Sequence, residues 1–158
     1  MPFRRLDTTT ILLALALVLA AVLLLHHPAP ASRFRADPTL TPGALNPAVT
    51  PTTLATTVCI PGWTATVRPP TEYTNHLKVV QLRQYGFPGS TADYQEDHFI
   101  SLGLGGHPTD PHNFWPEPWP RARAVDKIEV ELHDKLCHGQ LSLEEVRRRI
   151  ATLKYREG

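Results

Sequence analysis

An Asp-His dipeptide, Asp97-His98, stands in the most informative stretch of the chain, Tyr94-Gln-Glu-Asp-His-Phe-Ile-Ser-Leu-Gly-Leu-Gly-Gly106. A Gly-Gly turn follows, and Asn113 comes fifteen residues after the histidine, within Asp110-Pro-His-Asn-Phe-Trp-Pro-Glu117. A carboxylate and an imidazole can share one metal-centred site. On a strand, neighbouring side chains point to opposite faces, so both reach such a site only where the strand bends or ends. A hairpin followed by an Asn-bearing loop meets that condition, the amide holding the loop against the histidine backbone. A helix beginning near Ala122 would close the third side.

Periodicity and turn residues supply a scaffold for these side chains, an α+β domain with one small hairpin. Thr50-Pro51 reads as an N-cap followed by proline at the first helical position, which predicts a short helix over 51–57. Cys59-Ile-Pro-Gly-Trp63 turns the chain, and Trp63 to Val67 reads as a short strand. After Pro69-Pro70 a helix is predicted from Thr71 to Tyr85, with Tyr73, Leu77 and Val80 on one face and Gly86 as its stop. Residues 86–120 are rich in glycine and proline; a strand from His98 to Leu102 sits among them, with Leu104 beginning the return strand. From Ala122 to Leu136 the pattern is helical again, through Val125, Ile128 and Leu132, and Gly139 ends it. Ser142-Leu-Glu-Glu145 is a capping box that opens a last helix, with Val146, Ile150 and Leu153 toward the core.

The N-terminal third differs in kind. Arg4, Arg5 and Asp7 are the only charges in residues 1–31, and the apolar run Ile11 to Leu25 follows them. A basic start, an apolar stretch and Ala29-Pro30-Ala31 together resemble a secretory signal with cleavage after Ala31. The rival reading is an uncleaved anchor. Fifteen residues span roughly 22 Å as a helix, short of the ~30 Å hydrocarbon core, whereas counting from Thr8 gives 18 residues. Either way the arginines favour an N-in orientation, so the rest is exported: secreted, periplasmic or anchored with the domain outside the cytoplasm. Residues 26–51 hold six prolines and read as an extended linker. The organisation is therefore a signal peptide or membrane anchor over 1–31, a Pro-rich linker over 32–50 and one domain over 51–158.

The whole chain carries 16 Lys+Arg against 15 Asp+Glu. Because residues 1–31 hold two of the former and one of the latter, the exported part is neutral. That argues against a purely electrostatic nucleic-acid binder, which needs a large positive excess. Export also changes the meaning of Cys59 and Cys137, the only two cysteines. An oxidising compartment lets them pair, and a loop of that size stabilises by ~4–5 kcal/mol in the chain-entropy account. The rival is a zinc site using Cys59, His133, Cys137 and His138, which no CxxC spacing supports.

The hairpin residues resemble an HNH-type, or ββα-metal, endonuclease domain. The likeness extends to a group of small exported bacterial proteins. Its shared segments stand here as Cys59-Ile60-Pro61-Gly62, Arg68-Pro69-Pro70, Glu96-Asp97-His98 with Gly105-Gly106, Asn113-Phe-Trp-Pro-Glu117, and Glu129…Leu132-His133…Cys137-x-Gly139. It covers roughly residues 43 to 155. The resemblance implies a ββα hairpin-helix core with flanking helices, and a nuclease hydrolysing phosphodiester bonds of DNA or RNA. It implies that His98 is the general base, a role worth about 10²–10⁴ in rate. Asp97 would ligate one divalent cation, Mg2+ in the first place, with Mn2+ or Zn2+ as alternatives. Asn113 would orient the hairpin and His98.

Two departures stand out. The second metal ligand of HNH domains usually lies about nine residues beyond the asparagine, where this chain has Ala122; the longer connection Pro116 to Pro120 would move it onto the helix, where Asp126, Glu129 and His133, on one face at spacings of three and four, are the candidate ligands beside Asp97. The hairpin also has Gly103 where the group commonly has glutamate. The alternative function is accordingly a catalytically degenerate envelope domain, held by a disulfide, that binds without cleaving. Arg121 and Arg123 are the candidate phosphate contacts, since arginine suits bidentate phosphate recognition. Trp63, Trp115 and Trp119 read as packing residues, His107 and His112 as exposed, and Arg147, Arg148 and Arg149 as a solvated surface.

Overall fold

A single turn of helix, Trp63–Val67 (α1), stands where the sequence reads as a short strand. Gly62, at φ +83, swings the chain into it, and the Arg68 N–H closes the turn on the Thr64 carbonyl at 3.1 Å. With the backbone bonds closed locally, no partner strand is needed. The structure is a computed structural model that describes residues 34–156. The described residues all fall within one compact unit. The expected signal or anchor lies outside the described residues, and no helix among the described residues is long and apolar enough to cross a membrane.

Thr71–Tyr85 (α2) forms as expected, bounded by Pro70 and by Gly86 at φ +62. Its inward face is Tyr73, Leu77, Gln81 and Tyr85, and Val80 is exposed. The strands lie elsewhere than the glycines suggest. Tyr94–His98 (β1) pairs antiparallel with Phe114–Pro118 (β2), with Tyr94 opposite Pro118 and His98 opposite Phe114. Two prolines within β2 argue against a strand, but a two-stranded sheet has two open edges where a missing N–H is tolerated. The Gly-Gly turn is not the hairpin turn; it closes a 3-10 turn, Leu102–Leu104, inside the long connection from 99 to 113.

Trp119–Cys137 (α3) follows β2 directly, so the hairpin and this helix form a strand–strand–helix unit. Leu143–Arg156 (α4) starts after Ser142, whose Oγ accepts the Glu145 N–H at 3.1 Å. Helices α2 and α3 pack against the hairpin, and α4 packs on α3 and on the Leu102–Leu104 turn, around a core of Val58, Phe99, Leu104, Trp115, Val146 and Ile150. The predicted helix over 51–57 is reduced to a 3-10 turn, Leu54–Thr56, within a run of threonine-bonded turns.

Two further expectations are corrected. Residues 34–50 are not a poorly packed linker: Ala36, Thr41 and Val49 are buried, and Leu45 bridges Gly106. Nor does Arg147 belong to a solvated surface. Its guanidinium donates to the carbonyls of Leu104, Val49 and Gly105 at 2.9, 3.2 and 3.2 Å, pinning that strap to the hairpin loop.

Candidate functional site

β1 ends at His98, which satisfies the condition that neighbouring residues on a strand serve one site only at its end. The His98 ring lies against Phe114, centroids 4.1 Å apart, and its Nε2 is 3.1 Å from the Pro108 carbonyl oxygen. A carbonyl only accepts, so Nε2 carries the proton and Nδ1 the lone pair. Nδ1 has no protein hydrogen-bond partner among the described residues. Burial pushes the imidazole down to about 4, so the ring is neutral at pH 7.

Asn113 is fully buried and spends its amide on the loop. Its Oδ1 accepts the Ile100 N–H at 2.9 Å, and its Nδ2 donates to the carbonyls of Ile100 and His107 at 3.0 and 2.9 Å. These bonds clamp both ends of the connection beside His98. Gly106 permits the clamp: a Cβ there would stand 1.8 Å from the Ile100 carbonyl oxygen and 2.5 Å from Asn113 Nδ2.

Asp97 is committed to a different partner. Its Oδ2 is ion-paired with Lys154, a buried residue of α4, and its Oδ1 accepts from Gln95 Nε2 at 3.1 Å. Lys154 Nζ also meets Glu129 Oε1 at 2.7 Å, the His98 carbonyl oxygen at 2.8 Å and Glu117 Oε2 at 3.7 Å. Burial opposes the Asp97 charge, but the adjoining ammonium overcomes it and holds this carboxyl below the usual range. Burial pushes Glu117 up to about 8 and Glu129 up to about 7, so the cluster does not carry three full negative charges at neutral pH.

Beside this cluster a cavity of about 340 Å³ opens between Cys59–Gly62, Arg68, Ser101–Gly103 and the α3 residues Glu129 and His133. Arg68 faces it and is near enough to His98 and Asp126 for its charge to disfavour protonation of both. Glu129 joins the cavity to the Lys154 cluster.

The structure brings Asp97, His98 and Asn113 to the end of one hairpin. It does not bring Asp97, Asp126 and His133 together: Asp126 is exposed, and His133 Nε2 donates to the Val58 carbonyl at 2.8 Å. Among the described residues, no three His, Cys, Asp or Glu side chains are placed to hold one metal ion. With both Asp97 oxygens engaged, the residues present do not fit a divalent cation at the position the resemblance assigns. Cys59 and Cys137 form a disulfide, which removes the thiolates from the zinc alternative. Arg121 is turned inward, paired with Glu117, bonded to the Leu153 carbonyl at 3.1 Å and stacked 5.1 Å over Trp115. It is therefore not a phosphate contact. Arg123 remains exposed, 5.8 Å over Trp119.

Three participants escape a reading of motifs. Arg68 sits in a quoted segment, Arg68-Pro69-Pro70, with no role of its own. Glu117 likewise ends the Asn-x-Trp-Pro-Glu segment. Lys154 continues the Val146 and Ile150 face by four residues, and that spacing is the available signal.

Fold and site define an α+β domain whose strand–strand–helix unit presents a neutral histidine beside a buried lysine–carboxylate cluster. Comparison with known proteins finds no matching family model, no matching curated protein and no matching solved structure.

Proposed function

We propose that this chain is an HNH-like hydrolase acting on the phosphodiester bonds of DNA or RNA outside the cytoplasm. The observation that carries the reading is the state of His98: fixed through Nε2 on Pro108, neutral, with Nδ1 unengaged at the end of β1. Nδ1 takes a proton from water as that oxygen forms the new bond to phosphorus. The bond to the leaving nucleoside oxygen breaks, and that oxygen takes up a proton from the imidazolium or from solvent. Arg68 on the cavity wall and the exposed Arg123 are the cations available to the phosphate. Asn113 holds the loop that supplies the Pro108 carbonyl, so it positions His98 without touching substrate. The disulfide supports an oxidising compartment. With the exported part neutral, substrate affinity is weak and salt-sensitive.

One observation favours the second reading, a binding domain without catalysis: Lys154 occupies the carboxylates expected to hold a metal. Labelled single-stranded DNA, duplex DNA and RNA, each with Mg2+, Mn2+ or EDTA, separate the two. Cleavage that falls about 10²-fold or more in His98→Ala supports the hydrolase. Retained binding of any of these with no cleavage in every condition supports the binding domain.

A further inference from the structure

Lys154 is fully buried, and lysine is among the residues least often found in a core. Its ammonium donates to the Asp97 carboxylate and to the His98 carbonyl oxygen at 2.8 Å, and it is ion-paired with Glu129 Oε1 at 2.7 Å. Glu117 Oε2 adds a fourth oxygen at 3.7 Å. These oxygens come from β1, β2 and α3, and they surround Nζ as hard oxygen donors surround a divalent cation. Burial alone would strip the proton from a lysine, but Asp97, Glu129 and Glu117 outweigh it and hold the ammonium charged. A metal would have to displace a covalently tethered cation from Asp97, whose other oxygen is held by Gln95.

We infer that the Lys154 ammonium is a built-in substitute for the divalent cation, so that the native chain binds no divalent metal between Asp97, Glu117 and Glu129. The inference rests on the HNH-like reading for the place where a metal would be expected. Its consequence is a site whose central positive charge no chelator removes. Because Lys154 is wholly enclosed, it does not touch a phosphate; it neutralises Asp97 behind His98 and leaves phosphate contact to Arg68.

Titrating the intact protein with Mn2+, read by electron paramagnetic resonance and calorimetry, tests this directly. No stoichiometric binding is expected up to about 1 mM, the weak end for oxygen-ligand sites, and the thermal midpoint is the same in Mn2+ and in EDTA. Lys154→Ala empties the cage, and one Mn2+ per chain then binds and raises the midpoint. Stoichiometric Mn2+ binding by the native chain that Asp97→Asn or Glu129→Gln abolishes overturns the inference. The native titration decides the matter by itself where Lys154→Ala fails to fold. Cleavage assays run in parallel keep the two proposals apart. Cleavage that survives EDTA supports both. No cleavage, with the native cage still refusing Mn2+, overturns the hydrolase and leaves the substitution of Lys154 for metal supported.

Discussion

The Lys154 ammonium is ion-paired with the Asp97 carboxylate, joining residues 57 positions apart in the chain and tying the last helix to the first strand. The pair sits at the back of the site and is shielded from water, with Lys154 at 0% exposure and the Asp97 side chain at 11%. Buried ion pairs contribute little net stability when intact, because desolvation offsets the attraction; removing one partner strands the other.

Replacing one member is therefore far worse than replacing both. Lys154→Met is expected to cost about 3–5 kcal/mol in urea unfolding, by leaving Asp97 buried and unpaired. Adding Asp97→Asn to it should recover a good part of that loss. A Lys154→Met chain within 1 kcal/mol of the native one would show, by the same principle, that the pair is not desolvated as described.

Asn113→Ala removes three hydrogen bonds and leaves the Ile100 N–H and two carbonyls without partners in the core. The expected cost is about 3 kcal/mol or more, since each of the three stranded groups costs about 1–3. Hydrogen exchange at the Ile100 amide should speed up well before global unfolding. Unchanged protection there would mean that the side chain does not close the loop.

The depressed His98 couples folding to pH. Its ordinary value is 6.5 and burial takes it to about 4, so between those values the unfolded chain binds a proton that the folded chain does not. Stability from this residue is present above pH 6.5 and falls as pH drops toward 4. His98→Phe should flatten that part of the curve. The His98 ring in the folded protein should titrate with a midpoint near 4 by NMR, and the acid limb of any cleavage activity should lie there rather than near 6.5. A midpoint at the ordinary histidine value contradicts the buried, neutral ring.

The disulfide closes 78 residues of chain, joining the segment ahead of α1 to the end of α3. Cys59→Ser with Cys137→Ser is expected to lower unfolding free energy by about 2–5 kcal/mol. Equal stability of the native chain with and without reductant would argue against that contribution.

Much of the helical framework was legible because its boundaries are local. Pro70 and Gly86 bound α2, and Ser142 with Glu145 marks the start of α4; each acts on backbone groups within a turn of itself. The strands were not, since pairing is non-local. The glycines of 103–106 advertise a hairpin turn, yet Gly106 serves the close approach of Asn113 to Ile100, and β2 is hidden behind Pro116 and Pro118. The prolines of 32–50 suggest a linker, while Ala36 and Thr41 show that such a segment can be held by other elements. Asp97, His98 and Asn113 were visible as a motif; that Arg121 turns inward to Glu117 was not, because an arginine beside a candidate site reads the same whichever way it points.

The sequence by itself determined the three longer helices, through spacing and capping, and the Asp97, His98 and Asn113 motif with two cysteines able to pair, through residue type. Only the tertiary structure decided what Asp97 does. A carboxylate takes whichever cation the fold brings within reach, and α4 brings Lys154, an outcome set by packing between segments more than fifty residues apart.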